Sequence, residues 1–145
     1  MRKIVIIPCG GAKLESSAPA ADLYVGSMFQ DTIKTARTMT EEENIFILSA
    51  KHGLIALGQI VEPYDVKMGS GDEVTDGLVA DQLEEITAGP FNKNVAIEAL
   101  LPKRYAAKLQ AARRFYPIVS HFEGCAGIGY QKAVLKALRT EKAGI

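Results

Sequence analysis

Cysteine occurs only twice in this chain, at Cys9 and Cys125. That leaves no dense disulfide framework, so reduced thiols and a cytoplasmic setting are the expectation. No apolar run approaches the roughly 18 residues that a membrane span needs. The opening MRKIVIIPCGG is basic and then apolar, like a signal peptide, but its run is short and Pro8-Cys9-Gly10 breaks it as a strand end would. There is no C-x-x-C, no close histidine pair, no P-loop and no G-x-G-x-x-G spacing. Internal repeats and low-complexity tracts are missing too. These absences remove the disulfide-rich, membrane-spanning and solenoid classes and leave an ordinary globular chain.

What is present fits that class. The 145 residues are 48% apolar and 23% charged, enough for one domain with its own core. Net charge is zero but unevenly placed. Residues 1–90 hold seven Lys/Arg against fourteen Asp/Glu, and residues 91–145 hold ten against three. A basic last third points towards phosphate or nucleic acid, or simply coats the solvent faces of two helices.

Hydrophobic periodicity predicts strands at Lys3–Pro8, Asn44–Ser49, Asn94–Ala99 and Pro117–Phe122. Helices are expected between them. One starts with Ser27 as N-cap and Gln30 completing a capping box. A second is marked by Val79, Leu83 and Ile86 and stopped by Gly89-Pro90. A third follows Pro102 with Tyr105, Leu109 and Ala112 as its inner stripe, and the last is YQKAVLKALRTEK. CGGAKLESSAPAAD reads as a loop. Residues 50–75 read as a long segment with no clear period, with room for a short extra strand, and such segments are usually functional or disordered. The alternation implies an α/β, Rossmann-like, three-layer α/β/α fold with a mainly parallel sheet of about four core strands.

In open parallel sheets ligands bind beyond the carboxyl ends of the strands. The first strand ends in Cys9-Gly10-Gly11 with Lys13 beyond, the second in Ser49, Lys51 and His52, the third in Glu98, and the fourth in His121, Glu123 and Cys125. Both histidines, both cysteines and two lysines are thus expected on one rim. Glycines there allow close approach to a phosphate, and GCAGIG precedes a helix whose first N–H groups are free; Gly127 and Gly129 are the candidates. Glycines needed only for a tight turn explain the same letters. His52 has the ordinary pKa of a proton-transfer group. Cys9 is a candidate nucleophile if a cation lowers its pKa, and a small buried residue otherwise. Glu98 is a candidate catalytic carboxylate or ribose ligand. Tyr64 could stack on a base and Asp65 could bind its edge, although a packed proline turn accounts for Pro63-Tyr64 as well. Cys9, His52, His121 and Cys125 form a zinc-compatible set with no supporting spacing, so neither metal nor other cofactor is expected.

The stretch HGLIALGQIVEPYDVKMG, within Ser49–Met68, resembles the YGLLRPLD-x-I-x-PYRLEMG region of YaaA-type peroxide-stress proteins. Cys9, Leu23-Tyr24, Ser27, Phe29, Leu48 to Leu54 and Pro63-Tyr64-Asp65 resemble more fully a family of short bacterial and phage domains. That family has a cysteine after the first strand, L-Y-x-x-S-x-x-F, L-S-A-K-[HY]-G-L and P-Y-D. The chain is shorter than YaaA-type proteins, and Asp65 stands where they carry arginine. The YaaA likeness implies DNA binding and protection from oxidative damage. The likeness to the short family implies a domain handling nucleotides or bases.

The reading is therefore a domain that binds a nucleotide or nucleobase, with chemistry on a glycosidic bond or a base. Cys9, Gly10, Gly11, Lys13, Gly127 and Gly129 would meet phosphate or sugar. Ser49, Lys51 and His52 would supply polar or proton-transfer groups, Tyr64 and Asp65 would recognise the base, and Glu98 would act as carboxylate. One alternative is a non-catalytic DNA-binding protein using Lys103, Arg104, Lys108, Arg113, Arg114, Lys132, Lys136 and Arg139. A metal-dependent hydrolase is the third.

Overall fold

A computed structural model of the chain describes residues 1–89, 94–124 and 127–144. Strand β1 (Arg2–Pro8) is followed by a two-residue strand β2 (Ala18–Pro19), a single turn α1 (Ala20–Leu23) and helix α2 (Ser27–Met39). Then come β3 (Ile45–Ser49), β4 (Gly53–Ala56), β5 (Ile60–Val61), α3 (Asp76–Thr87) and β6 (Val95–Ala99). The chain finishes with the short turn α4 (Lys103–Ala106), β7 (Ile118–Ser120) and α5 (Ile128–Gly144). Among the described residues no helix is long and apolar enough to cross a membrane.

The main sheet has five strands in the order β4-β3-β1-β6-β7. Neighbouring pairs among β3, β1, β6 and β7 are parallel, and β4 runs antiparallel at the edge. β1 lies at the centre, and Ile4, Val5, Ile6 and Ile7 are all fully buried. Successive strand residues face opposite sides of a sheet, so both faces of β1 are covered, as continuous apolar runs in parallel sheets require. Helix α2 touches β1 and α5, whereas α3 touches β4 and the turns after α4. Arg2 ties the amino end of β1 to its surroundings through Asn44 (2.6 Å) and the Ile86 carbonyl (2.6 Å).

Several expected boundaries move, each for a local reason. Helix α2 is capped by Gly26, not Ser27. Val25 N–H is held by the Ala12 carbonyl and Lys13 bridges to Tyr24, which fixes the entry one residue earlier. The Gln30 amide then bonds the Tyr24 carbonyl (2.8 Å) in place of closing a capping box. Segment 50–75 is not one loop. It folds back as β4 against β3, and β5 pairs antiparallel with β2 from the supposed first loop. The core sheet therefore has the four expected strands and, in β4, the short extra strand for which segment 50–75 had room.

Helix α3 is capped by Thr75, whose hydroxyl accepts from Leu78 N–H, and it ends with Ala88 in the left-handed conformation (φ 62°) before Gly89; Pro90 lies outside the described residues. The helix expected after Pro102 breaks into α4 and two 3-10 turns, Ala107–Leu109 and Ala112–Arg114. Propensity favours a continuous helix over AAKLQAARR. The tighter winding instead stacks Leu109 and Ala112, three residues apart, on one buried side. β7 is shorter than expected, and α5 extends beyond both expected ends.

Candidate functional site

The turn that joins β3 to β4 accounts for the letters SAKHG. Ser49 is fully buried, and its Oγ accepts the backbone N–H of Lys51 (3.2 Å) and His52 (3.1 Å). Gly53 then takes φ +73°, and Gln82 from α3 clasps the turn by accepting from Leu54 N–H (2.7 Å) and donating to the His52 carbonyl (2.9 Å). A Cβ on Gly53 would lie 2.2 Å from Gln82 Oε1. Much of this motif is thus turn chemistry. The Ser49 hydroxyl nevertheless carries a second partner, Tyr64 Oη at 2.6 Å, and Tyr64 Oη lies 2.6 Å from Tyr24 Oη.

What this chain leaves over follows from counting hydrogens. A hydroxyl has one donor and two acceptor positions. Both acceptor positions of Ser49 are filled by backbone N–H groups, so its own hydrogen goes to Tyr64. Tyr64 either donates onward to Tyr24 or accepts from it as well, and three hydroxyl hydrogens serving two O···O contacts leave one spare on the Tyr24–Tyr64 pair. Burial pushes the Tyr24 phenol up to about 12, with the Tyr64 hydrogen bond opposing and Cys9 adding to the rise. Burial and Cys9 likewise push Tyr64 upward. Both phenols therefore stay protonated near neutral pH and can act as donors.

Cys9 and Lys13 complete the cluster. The Cys9 thiol lies 3.3 Å from Tyr105 Oη, which also donates to the Cys9 carbonyl at 3.3 Å. Burial first, then Cys9, raises the Tyr105 phenol. The Lys13 ammonium lies 4.4 Å from the centre of the Tyr64 ring and 5.8 Å from that of Tyr24, within cation–π reach. It also bonds the Gly11 carbonyl at 3.3 Å. The His52 ring meets Tyr64 edge-on at 5.4 Å. Burial, then the Lys51 charge, holds its pKa below the ordinary imidazole value, so it is neutral at pH 7 and can accept a proton.

Cys9, Lys13, Ser49, His52 and Tyr64 are thus brought together at the carboxyl ends of β1 and β3. Gly10 and Gly11 lie beside them in chain, and a Cβ at Gly11 would meet nothing within 4 Å. Lys51 and Asp65 are exposed. Tyr24, named only within a family-like motif, and Tyr105, named only as part of a helix's inner stripe, were not among the expected site residues. The available signal was a tyrosine in an otherwise aliphatic or alanine stripe, since a buried phenol needs a hydrogen-bond partner.

Glu98 and His121 do not join this group. Glu98 is the penultimate residue of β6, in register with Val5, four residues before Cys9. At about 3.3 Å per residue that places its backbone about 13 Å below the rim. Its carboxylate binds Lys3 (2.9 Å) and His121 (2.6 Å). Burial works to raise its pKa, but those two partners outweigh burial and hold it below the usual range. Cys9, His52 and His121 do not converge, and among the described residues no three His, Cys, Asp or Glu side chains could share a metal ion. Cys125 lies outside the described residues.

Farther along the same edge, between α4, the end of β7 and the first turn of α5, lies an open cavity of about 710 Å³. It contains none of the hydroxyl chain. Gly127 and Gly129 are exposed at the start of α5, and neither has an atom within 4 Å of where a Cβ would stand. Of the eight basic residues named for the DNA-binding alternative, three have internal work. Lys108 pairs with Glu73 (3.5 Å), Arg113 bonds the Ile118 carbonyl and Ser120, and Arg139 pairs with Asp31 (2.8 Å).

Segment 65–74 leaves Tyr64 and returns to Ala50, whose carbonyl takes the Val74 N–H (2.9 Å). On the way Glu73 accepts from Gly69 N–H (2.5 Å) and Gly71 N–H (2.7 Å). Backbone hydrogen bonds, its own and that of Gly69 foremost, hold the Glu73 carboxyl down at about 2 against a burial effect that opposes them.

The model of a family of unknown function (DUF6884) matches residues 4–137, and the chain belongs to that family. No curated protein matches the chain.

Proposed function

We propose that this chain binds a nucleotide or nucleobase at the carboxyl ends of β1 and β3. The spare phenolic hydrogen of the Tyr24–Tyr64 pair, where the ring centre of half-buried Tyr64 lies 4.4 Å from the Lys13 ammonium, carries the reading. A closed polar network has no reason to end in an unused donor next to a cation. A ligand oxygen, whether a base carbonyl or a phosphate, would use both.

The architecture supports the placement. We take the fold as Rossmann-like and three-layered, with α2 and α5 over one face and α3 with its neighbouring turns over the other. From β1 the chain moves outward to β3, then crosses back over β1 to β6. The strand order therefore reverses between β1 and β6, so the end of β1 borders a crevice of the kind that receives ligands in open α/β sheets. The Cys9–Tyr105 contact spans that crevice. Gly10 and Gly11 give the backbone room, and Tyr64 offers a ring edge to a base. The likeness of the LSAKHGL and PYD segments to base-handling domains and to YaaA-type proteins belongs to the same reading.

Within it, Cys9 and neutral His52 are the groups available for chemistry on a base or glycosidic bond, whereas Glu98 is committed to Lys3 and His121. Amide NMR titration of the labelled chain with adenine, adenosine and adenosine 5′-monophosphate tests the proposal. Saturable shifts are expected at Gly10, Gly11, Lys13, Ser49 and His52, and Lys13→Gln should weaken them. No saturable shift with any of the three would defeat it. The DNA-binding alternative predicts instead an affinity for short duplexes that collapses with added salt.

A further inference from the structure

The cavity on the β6 and β7 side offers a second site with a chemistry of its own. Its apolar wall comes from Leu101 and Phe122, both buried at the carboxyl ends of their strands. Lys103, Arg113 and Gln131 supply its donors, and Glu123 supplies a carboxylate. Arg113 is held in place, because Nη1 donates to the Ile118 carbonyl (3.2 Å) and Nη2 to Ser120 Oγ. A guanidinium has five N–H groups in a rigid plane. Two are used in the wall, and three remain. Ser120 Oγ accepts from Arg113, so its own hydrogen is also available. Two cations against one carboxylate give the lining a net positive charge. The volume, about 710 Å³, lies within the roughly 300–1,000 Å³ typical of small-molecule sites.

We infer that this cavity binds a small organic oxyanion, with Arg113 gripping the phosphate or carboxylate, Lys103 adding charge at the mouth, and Leu101 and Phe122 packing the carbon body. An immobilised guanidinium loses little freedom on binding, and its planar fork matches two oxygens of one oxyanion. Gln131 comes from the first turn of α5, a 17-residue helix whose amino end adds favourable potential. None of these residues belongs to the hydroxyl chain, so the inference is independent of the nucleotide reading.

Ribose 5-phosphate, succinate and inorganic phosphate are each titrated into the labelled full chain and followed by amide NMR. At least one organic anion should give saturable shifts confined to Leu101, Ala106, Gln110, Arg113 and Phe122, and should bind more tightly than inorganic phosphate. Preference for ribose 5-phosphate would identify a phosphate ester, and preference for succinate a carboxylate. Arg113→Gln should weaken binding about tenfold, the loss expected of one charge-assisted hydrogen bond. Because Arg113 also braces β7, Lys103→Gln serves as the second variant. Its side chain is exposed, so the fold should be unaffected while affinity falls about threefold. No saturable shift with any probe, shifts mapping elsewhere, inorganic phosphate binding as tightly as both organic anions, or both variants binding like the unaltered chain would each overturn the inference.

Discussion

Over β1 and β3 the carboxyl edge of the sheet is filled by side chains that bond one another. Ser49, Tyr64 and Tyr24 are joined hydroxyl to hydroxyl, with Cys9, Tyr105 and Lys13 against them. Over β6 and β7 the same edge is hollow, and its polar groups face an open cavity. Helix turn α4 stands between the two, with Tyr105 reaching Cys9 and Lys103 and Ala106 lining the cavity. The contrast separates two ways of preparing a binding surface. The closed half is rigid and structural, and any ligand there must compete with, or extend, bonds the protein already makes. In the open half the wall is built from core residues, but the exposed polar groups at its mouth cost little to keep because water reaches them. Substitutions in the hydroxyl cluster and its turn should therefore cost stability, whereas substitution of an exposed cavity residue such as Lys103 should change affinity alone.

The largest effect is expected at Gly53, beneath the closed half. Alanine there would need a left-handed backbone and would drive its Cβ to 2.2 Å from Gln82 Oε1. Gln82 would have to leave, and its bonds to Leu54 N–H and the His52 carbonyl would be lost. A loss of about 3 kcal/mol is expected from the strain and the freed backbone groups together. Urea unfolding of Gly53→Ala measures it. A change of less than about 0.5 kcal/mol, the range of an ordinary surface substitution, would mean that the turn does not anchor the cluster.

Tyr64→Phe comes next. It removes the middle of the hydroxyl cluster and takes the Tyr64 partner away from both Ser49 and Tyr24 in a buried place. About 1–3 kcal/mol is expected, the range for a buried group left unsatisfied. Lys103→Gln in the open half should lie within about 0.5 kcal/mol of the unaltered chain. Equal losses for the two variants would erase the distinction between the halves.

The same contrast explains what could be read from the letters. The strands were legible because central parallel strands must be apolar on both faces, and KIVIIP and NIFIL say so without ambiguity. Strand ends alone were enough to name Cys9, Lys13, Ser49 and His52, which the fold brings together, whereas Tyr64 was named from the long segment that follows. Glu98 was misplaced because a charged residue near a strand end looks the same whether it points up to the rim or across to Lys3, and sequence gives strand position but not cross-strand partners. Room for a short strand in 50–75 was legible, but its place and its pairing with β3 were hidden, because the hairpin turns through Gly53 and a side-chain cap and not through a recognised two-residue turn. The cavity was invisible for a related reason. Arg113 reads as one more cation on a helix, and only the break into 3-10 turns aims it at Ser120.

A pH experiment tests the segment that runs on from the closed half. The Glu73 carboxyl is held near 2, below its value in an unfolded chain, by Gly69 and Gly71 N–H groups and by Lys108. A depressed folded-state pKa means that the unfolded chain binds the proton more readily. The contribution of Glu73 is therefore complete above about pH 4.5 and fades as pH falls towards about 2. Glu73→Gln should be less stable than the unaltered chain at neutral pH, with the gap narrowing across that window. A gap that stays constant with pH would show that the loop does not depend on the charge.

The smallest effect on stability, and the sharpest on function, is expected at Gly11. Its φ lies outside the left-handed region, and a Cβ there would touch nothing within 4 Å. The fold alone thus gives no reason for glycine, and Gly11→Ala should change stability by less than about 0.5 kcal/mol. If a phosphate or base approaches this backbone as closely as the glycine permits, the added methyl group stands in its path, and affinity for adenosine 5′-monophosphate should fall about tenfold. Unchanged affinity would place the ligand away from the loop after β1. Loss of affinity in Gly11→Ala but not in Arg113→Gln would assign nucleotide binding to the closed half, with the hollow half left to its own anion.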